Sequence, residues 1–437
     1  MFSIRNIIFL FALFSVIYPV IWLFFPVALS RIIAVLGIVY ALFFINSKFV
    51  WGQYRKIILG YLVLLFLGFA QITVNNIYDM EFIKHIIIIP LFNLFAGLFL
   101  YYLGRNYINS FGRLCDAILI VAVIQAVISL VMFINPEFND FITSQMSLAE
   151  GYKTRLEELS HRLVGIGQAF FGAGINYGVD MLILTVLPDV KDSIIYKNKL
   201  LYWTTASLLI LAGLLSARTF FISFIFVVLY FILMRKNIFL IIVNSYKYIL
   251  IIPLFLFFYS TLQEELGSYR FSQIESFSFE LFENYEETGE LESTSTNRLR
   301  DMYDVIPETY KTWLVGDGRY MNEDGSYYKR TDIGYFRQIF YYGLIGLIVY
   351  LIVTIYVYLK TIHQYKNSAI KVFIILLLLF ELSLNLKGIA SLGMYTGLFL
   401  AWGVMMRNHE LDEQKKIIIN NYINNNEEND FNNSTSL

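Results

Sequence analysis

Apolar runs of about twenty residues recur from one end of this chain to the other, and no other feature limits its fold as strongly. They fall at about 7–25, 29–46, 57–74, 86–103, 114–134, 166–188, 200–215, 219–234, 248–262, 334–359, 370–386 and 388–406. A hydrocarbon core about 30 Å thick takes roughly 20 helical residues to cross. A lone apolar segment in lipid must also satisfy its own backbone hydrogen bonds, which a helix does. The runs therefore predict an all-α, polytopic integral membrane protein with about 12 transmembrane helices. A soluble domain is excluded by composition: 57 % of the 437 residues are hydrophobic and 15 % charged, too little polar surface to coat a globule of that size.

Orientation follows from the basic residues of the short connections. Arg5, Lys48, Arg55, Lys56, Arg105, Arg113, Lys191, Lys197, Lys199, Arg235, Lys236, Lys247, Lys360, Lys366, Lys371, Arg407, Lys415 and Lys416 fall on one side, against Arg31, Lys84, Arg218 and Lys387 on the other. Eighteen against four places both termini in the cytoplasm, as an even number of spans requires. The first run is too long for a signal-peptide core and is read as a retained anchor. Two longer loops then face outward, a smaller one at 135–165 and a large one at 263–333 between spans 9 and 10. The organisation is spans 1–9 over 1–262, the large extracytoplasmic loop, spans 10–12 over 334–406, and an Asn-rich tail over 407–437 expected to be disordered. Basic residues are dispersed among loops and the formal net charge is −1, which argues against a nucleic-acid partner. Cys115 is the only cysteine, so neither an internal disulfide nor a Cys-based metal site is available.

Polar chemistry is gathered in the outward loops. The smaller carries Lys153, Arg155, His161 and Arg162; the larger carries Arg298, Arg300, Arg319, Lys329 and Arg330. Arg218 stands in Leu-Leu-Ser-Ala-Arg-Thr-Phe-Phe, between two spans with no room for a loop. Arginine suits phosphate, because its planar fork matches two oxygens and its charge survives burial. An arginine at membrane depth marks a substrate path or snorkels to lipid phosphates, and both readings stand for Arg218. Asp317, Glu323, Asp324 and Asp332 are the acidic residues near the return to the membrane. Asp332 immediately precedes a span, where it serves either as a helix cap or as a general base. Asp180 and Glu381 need partners within the bundle. The glycine-rich stretch from Gly165 to Gly178 allows close helix packing or a broken helix beside a cavity. No Walker A loop, Asp-Asp-x-x-Asp or Cys/His cluster occurs, so a nucleotide donor clamped by metal has no visible support.

Three motifs, in this order, resemble those of the O-antigen polymerase and O-antigen ligase superfamily of bacterial envelope enzymes. The first is the Ser-Ala-Arg218 hairpin between two mid-chain spans. The second is Asn297-Arg298 followed, after Trp313, by Gly316-Asp317-Gly318. The third is Asp332-Ile-Gly-Tyr335 leading into Gly343-Leu-Ile-Gly346. In the ligases the third motif usually opens with histidine; here it opens with Asp332, and 263–333 holds no histidine, which favours a polymerase.

The resemblance implies a polymerase in the bacterial cytoplasmic membrane, active on its outer face, that needs no metal or cofactor. A glycan growing on undecaprenyl pyrophosphate passes to a new lipid-linked repeat unit. Arg218 and Arg298 neutralise the departing pyrophosphate, and Asp332 accepts a proton from the attacking hydroxyl. Arg155, His161, Arg162, Arg300, Trp313, Arg319 and Tyr335 complete the expected substrate site, with Trp313 and Tyr335 against sugar rings. Expected partners are lipid-linked oligosaccharide units, membrane lipid, a chain-length regulator and a flippase. A ligase that delivers glycan to a lipid or protein acceptor, or a flippase for the lipid-linked unit, are the alternatives; a transporter would carry its charge at the bundle midplane.

Overall fold

The structure is a computed structural model and describes residues 4–148, 154, 156, 159, 162–234, 284–286, 289, 294–323 and 325–434. Among these every regular element is a helix. The chain-order set is α1 (Ile4–Ile17), α2 (Leu29–Phe44), α3 (Lys48–Asn75), α4 (Ile83–Gly104), α5 (Phe111–Ile134), α6 (Pro136–Ser144), α7 (Phe170–Val186), α8 (Lys199–Ser216) and α9 (Phe220–Leu233). It continues with α10 (Thr294–Tyr303), α11 (Tyr310–Leu314), α12 (Gly334–Gln364), α13 (Ser368–Leu384) and α14 (Gly393–Ser434). Six helices are long and apolar enough to cross a membrane: α3, α4, α5, α7 (with the turn that extends it to Asp189), α8 and α12. The protein is a helical membrane protein, and its outer wall agrees. Phe43, Phe44, Phe66 and Ile352 are exposed large apolar side chains on a surface that water would not tolerate. The expected span at 248–262 lies outside the described residues, as do Lys153, Arg155, His161, Asp324 and most of 263–293.

The helices run between two ends. At one end Arg5 donates to the carbonyl of Leu103, Asn367 to that of Asp189, and Lys366 pairs with Glu410. At the other, Leu23 donates to Gln145, Leu163 to Leu215, and Lys387 to Thr219. One buried apolar cluster joins α1, α5, α7, α8, α9 and α13; a second joins α3, α4 and α12. The charge-bearing connections 76–82, 162–169, 217–219, 303–333 and 385–392 all gather at the second end.

Two expectations need correction. The run at 7–25 is not one helix: α1 stops at Ile17, because Tyr18 precedes Pro19 and the residue before proline is pushed out of the α region. Trp22 then pairs with Met146 of the 135–165 segment. The tail expected to be disordered instead prolongs α14 as far as Ser434. Nucleation is the costly step in a helix, whereas extension is cheap. The α14 helix is already nucleated in the core, and Arg407 donating to His363 and Lys366 paired with Glu410 support its first turns beyond it.

The α12 helix is broken one-third of the way along. Tyr342 (φ −129°, ψ 17°) and Gly343 (φ 68°, ψ −174°) leave helical geometry, which frees carbonyls that the next turn would otherwise occupy. Two amides of the Gly316–Gly318 turn take them: Asp317 N donates to Phe340 O at 2.7 Å and Gly318 N to Tyr341 O at 3.0 Å. The turn is fixed in its own right, since the Asp317 carboxylate accepts from Thr312 Oγ1 at 2.8 Å and from the Tyr328 hydroxyl at 3.3 Å. The two glycine motifs of the sequence thus interlock. The large loop is thereby docked on the bundle, and Asp317 is spent on holding it there.

Candidate functional site

The turn between α13 and α14 organises this end of the molecule. Its buried centre is Asn385. The Nδ2 group donates to Glu381 O and Ala390 O, both at 2.9 Å, while Oδ1 accepts from Ala390 N and from Gln338 Nε2, both at 3.3 Å. With every amide position used, the turn has a single shape. The start of α12 docks on it through Tyr335 N, which donates to Asn385 O at 3.2 Å. Gly334 makes this approach possible: a Cβ there would lie 2.8 Å from the Asn385 side-chain oxygen and from Gly388 O. That is the local reason for glycine in Asp-Ile-Gly-Tyr.

Lys387 is presented by this turn, and its Nζ donates to Thr219 Oγ1 at 3.2 Å. Thr219 follows Arg218 in the three-residue link between α8 and α9, where Phe220 N donates to Ala217 O. The Arg162 segment reaches the same hairpin because Leu163 N donates to Leu215 O at 2.9 Å. The glycine-rich stretch is used for close packing, with Gly174 against Ala217. Burial pulls the Lys387 ammonium below the ordinary lysine range, the positive charges of Arg162 and Arg218 push the same way, and Asp332 opposes them. Three cations and one carboxylate from four distant segments therefore share one electrostatic environment.

The α10 helix approaches the same place. Met302 Sδ accepts from Asp332 N at 3.4 Å, and the Tyr303 hydroxyl donates to Leu386 O at 2.5 Å. Arg298 lies one turn before Met302, on the neighbouring part of that helix. Arg298 and Arg300 are both exposed. The other expected ring and charge contacts stand elsewhere. The Tyr335 hydroxyl donates to Leu382 O at 2.8 Å and ties α12 to α13. Trp313 is half-buried on α11 against the second apolar cluster, and Arg319 is exposed beside Tyr328. Of the expected residues, Arg162, Arg218 and Asp332 act on Lys387 together, Arg298 stands exposed on the helix whose Met302 meets Asp332, and Trp313 and Arg319 stand elsewhere. Arg155 and His161 are outside the described residues. Among the described residues no three His, Cys, Asp or Glu side chains gather as metal ligands would.

Lys387 is the residue that sequence reasoning passed over as a site. Its sequence signal is the same as that of Arg218, a lone cation in a tight connection between two apolar runs. In chemical terms such a cluster can neutralise a multiply charged anion at the end of an apolar bundle, with a carboxylate nearby that can accept a proton. Lys387 loses its charge as pH rises through its lowered pKa, so anion binding is expected to fail on the alkaline side below the pH of about 10.4 at which an ordinary lysine titrates. Lys387→Arg keeps its charge throughout and should shift that alkaline limb upward. Pyrophosphate binding to the purified protein across pH 6–11 measures it, and identical limbs in both proteins would count against the cluster. Compared with protein-family models, curated proteins and solved structures, the chain finds no match.

Proposed function

We propose that this protein is a polysaccharide polymerase that transfers a growing glycan from undecaprenyl pyrophosphate to a lipid-linked repeat unit. The observation that carries the reading is the convergence of Arg162, Arg218 and Lys387 with Asp332 at one end of an apolar bundle. Its substrate is amphiphilic in the same sense, a polyprenyl tail bearing a pyrophosphate and a sugar. The tail lies against the apolar wall and the pyrophosphate meets the cations at its edge. As the bond between anomeric carbon and pyrophosphate oxygen breaks, negative charge grows on the departing group, and preorganised cations stabilise that charge without reorganising. Asp332 takes the proton of the attacking hydroxyl. The end that carries the cluster is the outer face in this reading. The O-antigen polymerase resemblance supports it through the same residues, Arg218 and Asp332.

The test is deletion of the gene in its native host, with surface polysaccharide and lipid-linked intermediates displayed on a gel. Collapse of the ladder to a single capped repeat unit is the expected result. Polymer that persists on its carrier lipid without reaching its acceptor would instead indicate a ligase, and repeat units trapped on the inner face a flippase.

A further inference from the structure

Arg337, in the first turn of α12, is 6 % exposed. Its guanidinium lies between two rings, 4.0 Å from the centre of Tyr320 and 3.5 Å from that of Tyr327. The two rings, tilted 49° to each other, offer cation–π contact to the charge. Aromatic rings do not replace hydrogen-bond acceptors of the strength of phosphate or carboxylate oxygens. Both Nε and Nη2 are buried without a hydrogen-bond partner among the described residues. These two atoms form one edge of the guanidinium, the fork that takes two oxygens of a phosphate or carboxylate at once.

Burying such an edge unpaired is expensive, and among the described residues the carboxylates of Asp79 and Asp317 do not relieve it. The Asp79 carboxylate is occupied by the amides of Tyr320, Met321 and Glu81, and that of Asp317 by Thr312 and Tyr328. The clamp itself is rigidly held. Tyr320 is anchored through its amide to Asp79, and its ring packs edge-on against Phe82. Asn322 closes the 321–327 hairpin by donating to Tyr327 O at 3.0 Å. The positive end of the α12 dipole adds to the field in this turn.

The position of Arg337 relative to Lys387 is informative. Gln338, the next residue, donates to Asn385 and so faces the turn that presents Lys387. One residue back along a helix is a rotation of about 100°, which turns Arg337 away from that cluster towards the 320–327 hairpin. The first turn of α12 therefore has a cation on each of two flanks, with Asp332 on the Lys387 side. A polymerase of the proposed kind must hold two lipid-linked substrates together, each with a pyrophosphate, and their like charges need separate neutralisation. Resting on that proposed function, we infer that Arg337 is a second pyrophosphate site, which holds one lipid-linked substrate while the Lys387 cluster holds the other.

Equilibrium binding of geranyl pyrophosphate to the full-length protein in detergent tests this. Wild type should take up two equivalents, and Arg337→Lys, which keeps the charge but loses the fork, should weaken one of them roughly ten- to a hundredfold. Arg218→Ala should weaken the other. The equivalent that Arg337→Lys retains shows that the variant is folded. Tyr327→Leu, which opens the clamp on one side, should weaken the same equivalent as Arg337→Lys. Two equivalents retained by Arg337→Lys with affinities within twofold of wild type would overturn the inference. The two readings also fail separately. If wild type binds one equivalent that Arg337→Lys removes and Arg218→Ala spares, Arg337 stands and the Lys387 cluster falls. One equivalent with the opposite pattern overturns Arg337 alone.

Discussion

Arg218→Ala is expected to abolish polymer while single repeat units still appear, a loss of at least about 10²–10³-fold in transfer rate, the size seen when one preorganised donor to a developing anion is removed. The size of the effect follows from where the side chain stands. Arg218 is half-buried between two apolar helices and shares its surroundings with Lys387 and Arg162, where water screens charge poorly and each cation counts for more. Arg298 on α10 is exposed, so Arg298→Ala should cost far less. Arg218→Lys should fall between wild type and alanine, because it restores charge without the fork. The hairpin itself is closed by backbone bonds from Phe220 N to Ala217 O and from Phe221 N to Arg218 O. Chain-length ladders compared in the native host read the result. An unchanged ladder in the alanine variant would remove Arg218 from the mechanism.

The parts of this molecule that were legible in its sequence are those governed by local rules. Apolar length gave the helical membrane class, with six helices long and apolar enough to cross, because lipid leaves a lone segment no option other than helix. Arg218 declared itself because a cation between two apolar runs has nowhere to go. Convergence was not legible. The Arg162 segment reaches the Arg218 hairpin through a backbone bond from Leu163 to Leu215, and Lys387 joins them because Asn385 shapes its turn. Neither contact leaves a periodicity or a spacing to read. Arg337 lies two residues beyond Asp332-Ile-Gly-Tyr335, yet nothing local distinguishes it from the interfacial arginines common at the ends of spans. What singles it out is a pair of tyrosines contributed by another part of the chain. The overextended reading of α1 had a different cause, in that hydropathy does not register the backbone restriction that Pro19 places on Tyr18.

Gly343→Ala is expected to be the most destabilising single-methyl change in the molecule, at more than about 3 kcal/mol. Two costs act together. At φ 68° and ψ −174° the residue occupies a region that is essentially glycine's alone, which by itself costs on the order of 1–3 kcal/mol for another residue. A Cβ would also overlap the backbone carbonyl of Leu314, and backbone cannot swing aside as a side chain can. The only relief is to part α12 from the 310–331 segment. That movement breaks the bonds from Asp317 N and Gly318 N to the freed carbonyls, and with them the Tyr320–Arg337–Tyr327 stack. The change should therefore lower the thermal midpoint in detergent and open the 310–331 segment to protease in the same step. Gly52→Ala is the control, because that glycine lies within α3 with nothing inside 4 Å of its would-be Cβ. It should be neutral or slightly stabilising, since alanine is the better helix former. If Gly343→Ala melts like Gly52→Ala, the break in α12 does not hold the loop. If it melts early but leaves 310–331 protected, the loop is held by contacts other than the freed carbonyls.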